Sequence, residues 1–382
     1  MKNTLEEKME FKCDYKVYHP LGGASYVFEK DLIKYINYKL KKKKIVISIG
    51  AQPNSSPHFG TLCVFSLAFS LAKKLKEYDK EKDVSVLFEV VDTAPCKKVK
   101  INDITYQYDL KGSDTMHEAM GDFIAILDHF KEKDNIEYSV RNQNEFNSQK
   151  EIPKIIKTII HEEDKLKCLL DPKNEKLRIR ASCPKCGLVD KEGVNTIIKE
   201  DELISFCPEH GKYTIHYNKE SNRLEYNTPL RNLVRGMVYG MINENEEYDY
   251  EIIRITGGDY SGFYQEELLY KTASICHFDV NELPIIVYCP QILDWSGAKL
   301  SKSLYVKKNA YQDLPKYLLN YKELYKEYKW KGLDYIHEET DLWLEEPYRL
   351  FRNYTGYYFM KLFEEKEEKK NDGHKKSTKR DN

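Results

Sequence analysis

Two kinds of apolar pattern alternate along most of the chain, and this alternation limits the fold more than any single motif. Short unbroken runs such as "KIVISIG" (44–50), "VSVLFEVVD" (84–92), "IEYSV" (136–140), "YEIIRIT" (250–256) and "LPIIVYC" (283–289) end at turn residues. Longer stretches with apolar residues at helical spacing lie between them. One covers 60–78, and a second carries Met116, Met120, Phe123, Ile126, Leu127 and Phe130 on one face. A third carries Ile152, Ile155, Ile156, Ile159 and Ile160, and a fourth covers 263–276. Strands without polar alternation must be covered on both faces, and strands separated by helices pair in parallel. The expectation is an α/β chain with a doubly wound, Rossmann-like parallel sheet.

The pattern fails between about 170 and 217, where cysteines and turn residues dominate. The expected organisation is therefore a first half of the sheet domain in 1–169, an inserted module in 170–245, and a second half in 246–305. A short helical, tyrosine-rich region (306–363) and a charged tail (364–382) follow. The tail, "EEKEEKKNDGHKKSTKRDN", lacks apolar residues and is expected to be disordered. The aromatic series Tyr348, Phe351, Tyr354, Tyr357, Tyr358 and Phe359 is expected to pack rather than to stack bases.

Three stretches carry chemistry. In "SIGAQPNSSPHFGT" the first strand runs into a polar turn, with His58 just before a helix. Free N–H groups and the positive dipole end of that helix suit phosphate, and Gly60 leaves room for close approach. In "DWSGAKLSKSL" two lysines, Lys299 and Lys302, flank Ser301 in a polar loop after the last strand. Such a loop can neutralise charge on a departing pyrophosphate. In "ITGGDYSGFYQEE", Gly257 and Gly258 open space at a strand end and Asp259 can accept from sugar hydroxyls. Singly, each has a plain reading as a capping turn, a solvated loop or a glycine-rich turn.

Together, and in their chain order of "PHFGT", "ITGGDY" and "KLSKS", the three resemble the class I aminoacyl-tRNA synthetases. "HFGT" (58–61) stands where that family carries HIGH, with Pro53 ahead of it, and "KLSKS" (299–303) stands where it carries KMSKS. Within the family the class I lysyl-tRNA synthetases look most similar, since "VVDTAPCKKVK" (90–100) matches their acidic-then-basic segment. The resemblance implies attack of an amino-acid carboxylate on the α-phosphate of ATP, with Mg²⁺ on the phosphates, giving an aminoacyl-adenylate. It assigns catalysis to His58, Lys299 and Lys302. It assigns ATP binding to Pro53, Gly60, Thr61, Gly257, Gly258, Asp259 and Ser301 as well, and substrate contacts to Asp92 and Tyr260. Lysine is the amino acid it favours. Asp92 either binds a substrate ammonium or caps a turn. Thr61 replaces the second histidine of HIGH and offers one neutral hydrogen bond in its place.

The insertion contains "CPKCG" and "CPEHG", so Cys183, Cys186, Cys207 and His210 form a C-x2-C … C-x2-H pattern with twenty residues between the pairs. Four soft ligands with no open position make a closed, structural Zn²⁺ site. The other six of the nine cysteines (Cys13, Cys63, Cys96, Cys168, Cys276 and Cys289) show no pairing pattern, and Cys63 and Cys289 read as core.

With 41% apolar and 32% charged residues and a formal net charge of −1, the chain can bury a core but is no polycation. Any contact with nucleic acid must then be local. The run Lys41–Lys44 reads as a solvated helix end that could touch a phosphate backbone. No signal-peptide core and no membrane-length apolar run occur, so a cytoplasmic protein is expected. Only 79 residues follow Ser303, fewer than the anticodon-binding domain the resemblance implies, so tRNA contacts are expected through the acceptor stem. Two alternatives remain: a paralogue passing the activated amino acid to a small molecule, peptide or modified nucleoside, and a non-catalytic binding or regulatory paralogue.

Overall fold

The structure is a computed structural model that describes residues 30–300 and 314–377. Five strands form its central sheet: β1 (Lys44–Ala51), β2 (Asp83–Val90), β3 (Tyr138–Asn142), β4 (Tyr250–Gly257) and β5 (Ile286–Cys289). Their order is β5-β4-β1-β2-β3, with every pairing parallel. The chain steps one way from β1 to β2 and later to the other side of β1 with β4. A crevice therefore opens at the strands' carboxyl ends between β1 and β4, as expected of a doubly wound sheet.

Both faces of the sheet are covered, and successive residues divide between them. Ile45, Ile47 and Ile49 of β1 and Ile253 and Ile255 of β4 join one apolar core, which includes α1 (Phe59–Tyr78) and α2 (Asp114–Asp134). Val46 and Ile252 point to a second core built on α3 (Thr228–Glu244). Helix α1 is apolar nearly all round because it is enclosed between the sheet and α4 (Trp330–Glu345). Cys63 and Cys289 are buried in this first core.

A buried polar network sets how α4 docks. Ser66 Oγ lies 3.0 Å from His337 Nδ1 and 2.7 Å from Thr340 Oγ1, and Ser70 Oγ lies 2.9 Å from the same threonine. His337 Nε2 reaches Asp134 at 2.9 Å, with both side chains 1% exposed. The serine, histidine and carboxylate have the order of a nucleophilic triad, but no substrate can reach them, so their role is docking. His337→Ala is expected to lower stability by about 3 kcal/mol, since it strips a buried carboxylate of a partner. Lys73, 3.6 Å from Asp134, retains part of the balance. The check is a shift of the urea midpoint at constant slope.

Contacts cross the expected boundaries. The hairpin of Pro95–Ile101 and Ile104–Asp109, sequentially in the first half, pairs through its second strand with Val189–Asp190 of the insertion. Helix α3, sequentially in the insertion, packs against the sheet. The segment from Glu364, expected to lack structure, continues the helix α5 (Gly356–Ser377). Its first turns are tied down by the Lys366–Glu338 ion pair and by the Tyr335 hydroxyl donating to Glu367 Oε1 at 2.5 Å. Tyr354 and Phe359 are fully buried and Tyr358 nearly so, which agrees with a packing role, while Tyr357 is exposed. The run Lys41–Lys44 is engaged within the chain, by Glu244, the Ile242 and Asn245 carbonyls, Glu81 and Asp249 respectively. No helix among the described residues is long and apolar enough to cross a membrane.

Candidate active site

A cavity of about 370 Å³ lies at the carboxyl ends of β1 and β4 and takes its lining from all three chemistry-bearing stretches. His58, Gly60 and Thr61 line it from the start of α1, Gly257, Gly258, Asp259 and Tyr260 from the end of β4, and Lys299 from the loop after β5. His58 and Lys299 stand 241 positions apart in the sequence and share one space because β1 and β5 flank β4, whose end lies between them.

His58 is the N-cap of α1. Its Nδ1 accepts the Thr61 backbone N–H at 3.3 Å, so in the neutral ring the proton sits on Nε2, 3.0 Å from Thr61 Oγ1. Thr61 thus holds the imidazole from two atoms. A Cβ at position 60 would meet the ring 3.3 Å away, which is why glycine suits that place. The turn before the helix is braced by a distant segment: Tyr321 N–H donates to the Pro57 carbonyl at 2.8 Å and Lys322 N–H to Ser56 Oγ at 3.3 Å. Phe59 packs edge-on against Phe359, with ring centroids 4.9 Å apart.

At the end of β4, Lys299 Nζ donates to Asp259 Oδ2 at 2.7 Å. A Cβ on Gly257 would come within 2.5 Å of Asp259 Oδ1, so the glycine gives that carboxylate its place. Tyr260 stacks edge-on with Tyr264 at 4.8 Å. The loop carrying Lys299 is shaped by Asp294, whose Oδ1 accepts the backbone N–H of Ser296 at 2.8 Å, its hydroxyl at 2.6 Å and the Ala298 N–H at 3.2 Å. Leu300 N–H then returns to the Ile292 carbonyl at 2.8 Å. Ser301 and Lys302 lie outside the described residues.

Two expected site residues stand elsewhere. Pro53 is buried in the turn and does not line the cavity. Asp92 is also outside the lining, 2% exposed, and its Oδ1 accepts the Gln143 backbone N–H at 3.3 Å. Burial pushes its carboxyl up.

The sequence reading missed the polar side of the cavity. Arg231 and Arg235 of α3 and Arg254 of β4 line it, with Asn232 between them. Just behind lies Glu89 of β2, 1% exposed, which takes Arg141 through two nitrogens and the Tyr239 hydroxyl at 2.5 Å. Burial alone would push Glu89 up, but Arg235 and Arg141 more than reverse this and hold it below the usual carboxylate range. A signal existed: arginine or glutamate inside otherwise apolar runs ("LVRG", "IIRIT", "LFEVV") is rarely buried without purpose.

Away from the cavity, Cys183, Cys186, Cys207 and His210 converge, with their ligand atoms all within 4.8 Å of one another. Cys186 and Cys207 sulfurs are 3.6 Å apart, and His210 Nδ1 lies 3.7 and 3.6 Å from Cys183 and Cys207 sulfurs. A tetrahedral ion with Zn–S of about 2.3 Å puts sulfurs about 3.8 Å apart, so the donor set and spacing fit zinc. Gly187 and Gly211 follow the two knuckles at φ of +75° and +77°, which glycine adopts without strain.

No protein-family model and no curated protein sequence matches the chain. Among solved structures it is similar to the glutamate-tRNA synthetase of Elizabethkingia anophelis, with 11% identity and a TM-score of 0.33 over 69% of this chain and 54% of that one. It is also similar to the Thermus thermophilus arginyl-tRNA synthetase, with 11% identity and a TM-score of 0.30 over 81% of this chain and 61% of that one. The chain thus spans less than two thirds of either. Overlaps this loose determine neither activity nor substrate.

Proposed function

We propose that the chain activates an amino acid with ATP, forming an aminoacyl-adenylate and releasing pyrophosphate in the manner of the class I aminoacyl-tRNA synthetases. The observation that carries this reading is the meeting of His58, at a helix N-terminus, with the Lys299–Asp259 pair in one cavity at the carboxyl ends of parallel strands. Gly257, Gly258 and Asp259 would seat adenosine. The start of α1, His58 and Lys299 would take the phosphates, with Ser301 and Lys302 completing the loop. An amino-acid carboxylate is already ionised at neutral pH, so no general base is required. Catalysis then comes from positioning and from donors aimed at the charge that grows on phosphorus and on the leaving pyrophosphate. Mg²⁺ would ride on the phosphates and neutralise their charge, because the one carboxylate of the described lining, Asp259, is engaged by Lys299. The four-ligand cluster would hold structural Zn²⁺.

The acceptor proposed is tRNA, reached at its acceptor stem. The expectation of lysine rests on the resemblance alone, and the described lining offers its ammonium only Asp259.

Amino-acid-dependent exchange of labelled pyrophosphate into ATP tests the reading. Exchange that requires one amino acid, without tRNA or only with it, is the expected result. A panel of all common amino acids that leaves exchange at background removes the assignment. Appearance of the amino acid on a tRNA 3′ end separates a synthetase from a paralogue with another acceptor.

A further inference from the structure

The arginine wall of the cavity has more positive charge than its surroundings balance. Arg231 and Arg235 are 8% and 4% exposed, and Arg254 is half-buried. The Nη2 groups of the three donate only to neutral oxygens: Arg231 to the Tyr226 carbonyl at 2.9 Å, Arg235 to the Gln143 amide at 3.2 Å, and Arg254 to the Asn232 amide at 2.6 Å. The Nε atoms of Arg231 and Arg235 are buried without a hydrogen-bond partner.

The nearby carboxylates are already committed. Glu89 is bound by Arg141 and Tyr239, and its one charge also faces Arg235. Glu225 lies 3.5 Å from Arg180 and beside Asp109, whose carboxyl is pushed up to about 10 by burial and by Glu225 itself. Burial and the neighbouring arginines push Arg231 down to about 10 and lower Arg254 as well. A guanidinium still keeps its proton at neutral pH, so the wall cannot discharge itself and calls for an anion from outside.

The phosphates of ATP have their own cradle at His58, Lys299 and the start of α1. Arg235 reaches the end of β1 from a different element, its Nη1 only 3.7 Å from where a Gly50 Cβ would stand. A lysine or arginine substrate would bring one more cation to this wall.

We propose that the amino acid activated here carries an anionic side chain, a carboxylate or a phosphate, held by Arg231, Arg235 and Arg254. The proposal rests on the reading of the cavity as an amino-acid-activating site. Planar guanidiniums bind such groups through paired hydrogen bonds, and a neutral amide of the same shape would leave those donors unmet.

The test is pyrophosphate exchange by the full chain with glutamate, aspartate, phosphoserine, glutamine, asparagine, lysine and arginine, each assayed with and without a total tRNA fraction. The expected result is that one anionic member exceeds its neutral counterpart by at least about 100-fold in kcat/KM. Within the panel, glutamate and aspartate against phosphoserine separate carboxylate from phosphate. Arg235→Gln should raise KM for that substrate by about tenfold or more, with a smaller change in kcat, and Arg235→Lys should recover part of the loss. The comparison of substrates on the unaltered chain stands even if a variant fails to fold. Exchange led by lysine, arginine or a neutral amino acid overturns this proposal and leaves the activation reading intact. Exchange with none of the seven overturns this proposal, and background exchange across all the common amino acids overturns both.

Discussion

Replacing His58 with alanine is expected to lower the rate of adenylate formation by about 10²–10³, the size of effect seen when one donor to a developing oxyanion is lost. The imidazole is positioned rather than merely present, since the Thr61 amide and hydroxyl hold it from two atoms and Gly60 clears its flank. A ring so fixed contributes most where charge grows during the reaction, so kcat should fall while KM for ATP changes by less than about tenfold. His58→Asn, which keeps a neutral donor near the same place, should recover part of the rate. The measurement is single-turnover adenylate formation. A variant that keeps full kcat and loses only ATP affinity would make His58 a ground-state binding residue and remove it from the catalytic set.

Stripping metal from the insertion is expected to unfold that module and to leave the central sheet standing. The apolar cluster beside the four ligands is small, with Tyr106, Leu188 and two of the cysteines themselves at its centre. A structural zinc site contributes about 10–16 kcal/mol, more than a module with so little core could supply by burial. After chelation, amide protons between 180 and 215 should exchange rapidly. The hairpin at 95–109 should follow, because its second strand pairs with Val189–Asp190. Strands β1, β2 and β4 should stay protected. Cys207→Ser should act like chelation, with less than one zinc per chain by elemental analysis. Protein that holds no metal and protects this region normally would overturn the zinc assignment.

The consequences for the active site differ between these two experiments. The His58 change acts at the cavity and should lower stability by no more than the roughly 0.5–2 kcal/mol of one helix cap. Metal loss acts at a distance, through the Asp109, Glu225 and Arg180 cluster, which joins the hairpin to the strand leading into α3. Helix α3 carries Arg231 and Arg235, so chelation should weaken the amino-acid step more than ATP binding.

Local pattern was enough for much of this protein. Apolar runs of strand length between helical repeats imply a two-sided parallel sheet, because buried backbone can be satisfied in few other ways and each face needs cover. The metal ligands were legible because two knuckles with fixed internal spacing each present their donors whatever surrounds them. The places of His58, Gly257 and Asp259, at a helix start or a strand end, were legible because turn chemistry there is a short-range property. What no local pattern carried was which elements touch. That the 95–109 hairpin belongs with the metal module, that Asp92 accepts the Gln143 N–H while Pro53 stays out of the cavity, and that residues 320–322 brace the His58 turn all depend on contacts between segments far apart in sequence. The arginine wall is the clearest case. Each arginine reads alone as a charge in an apolar run, and only the packing of α3 against β4 brings three together with neutral oxygens as the acceptors of their Nη2 groups. Electrostatic energy depends on distance in space, and the chain order of these residues does not contain it.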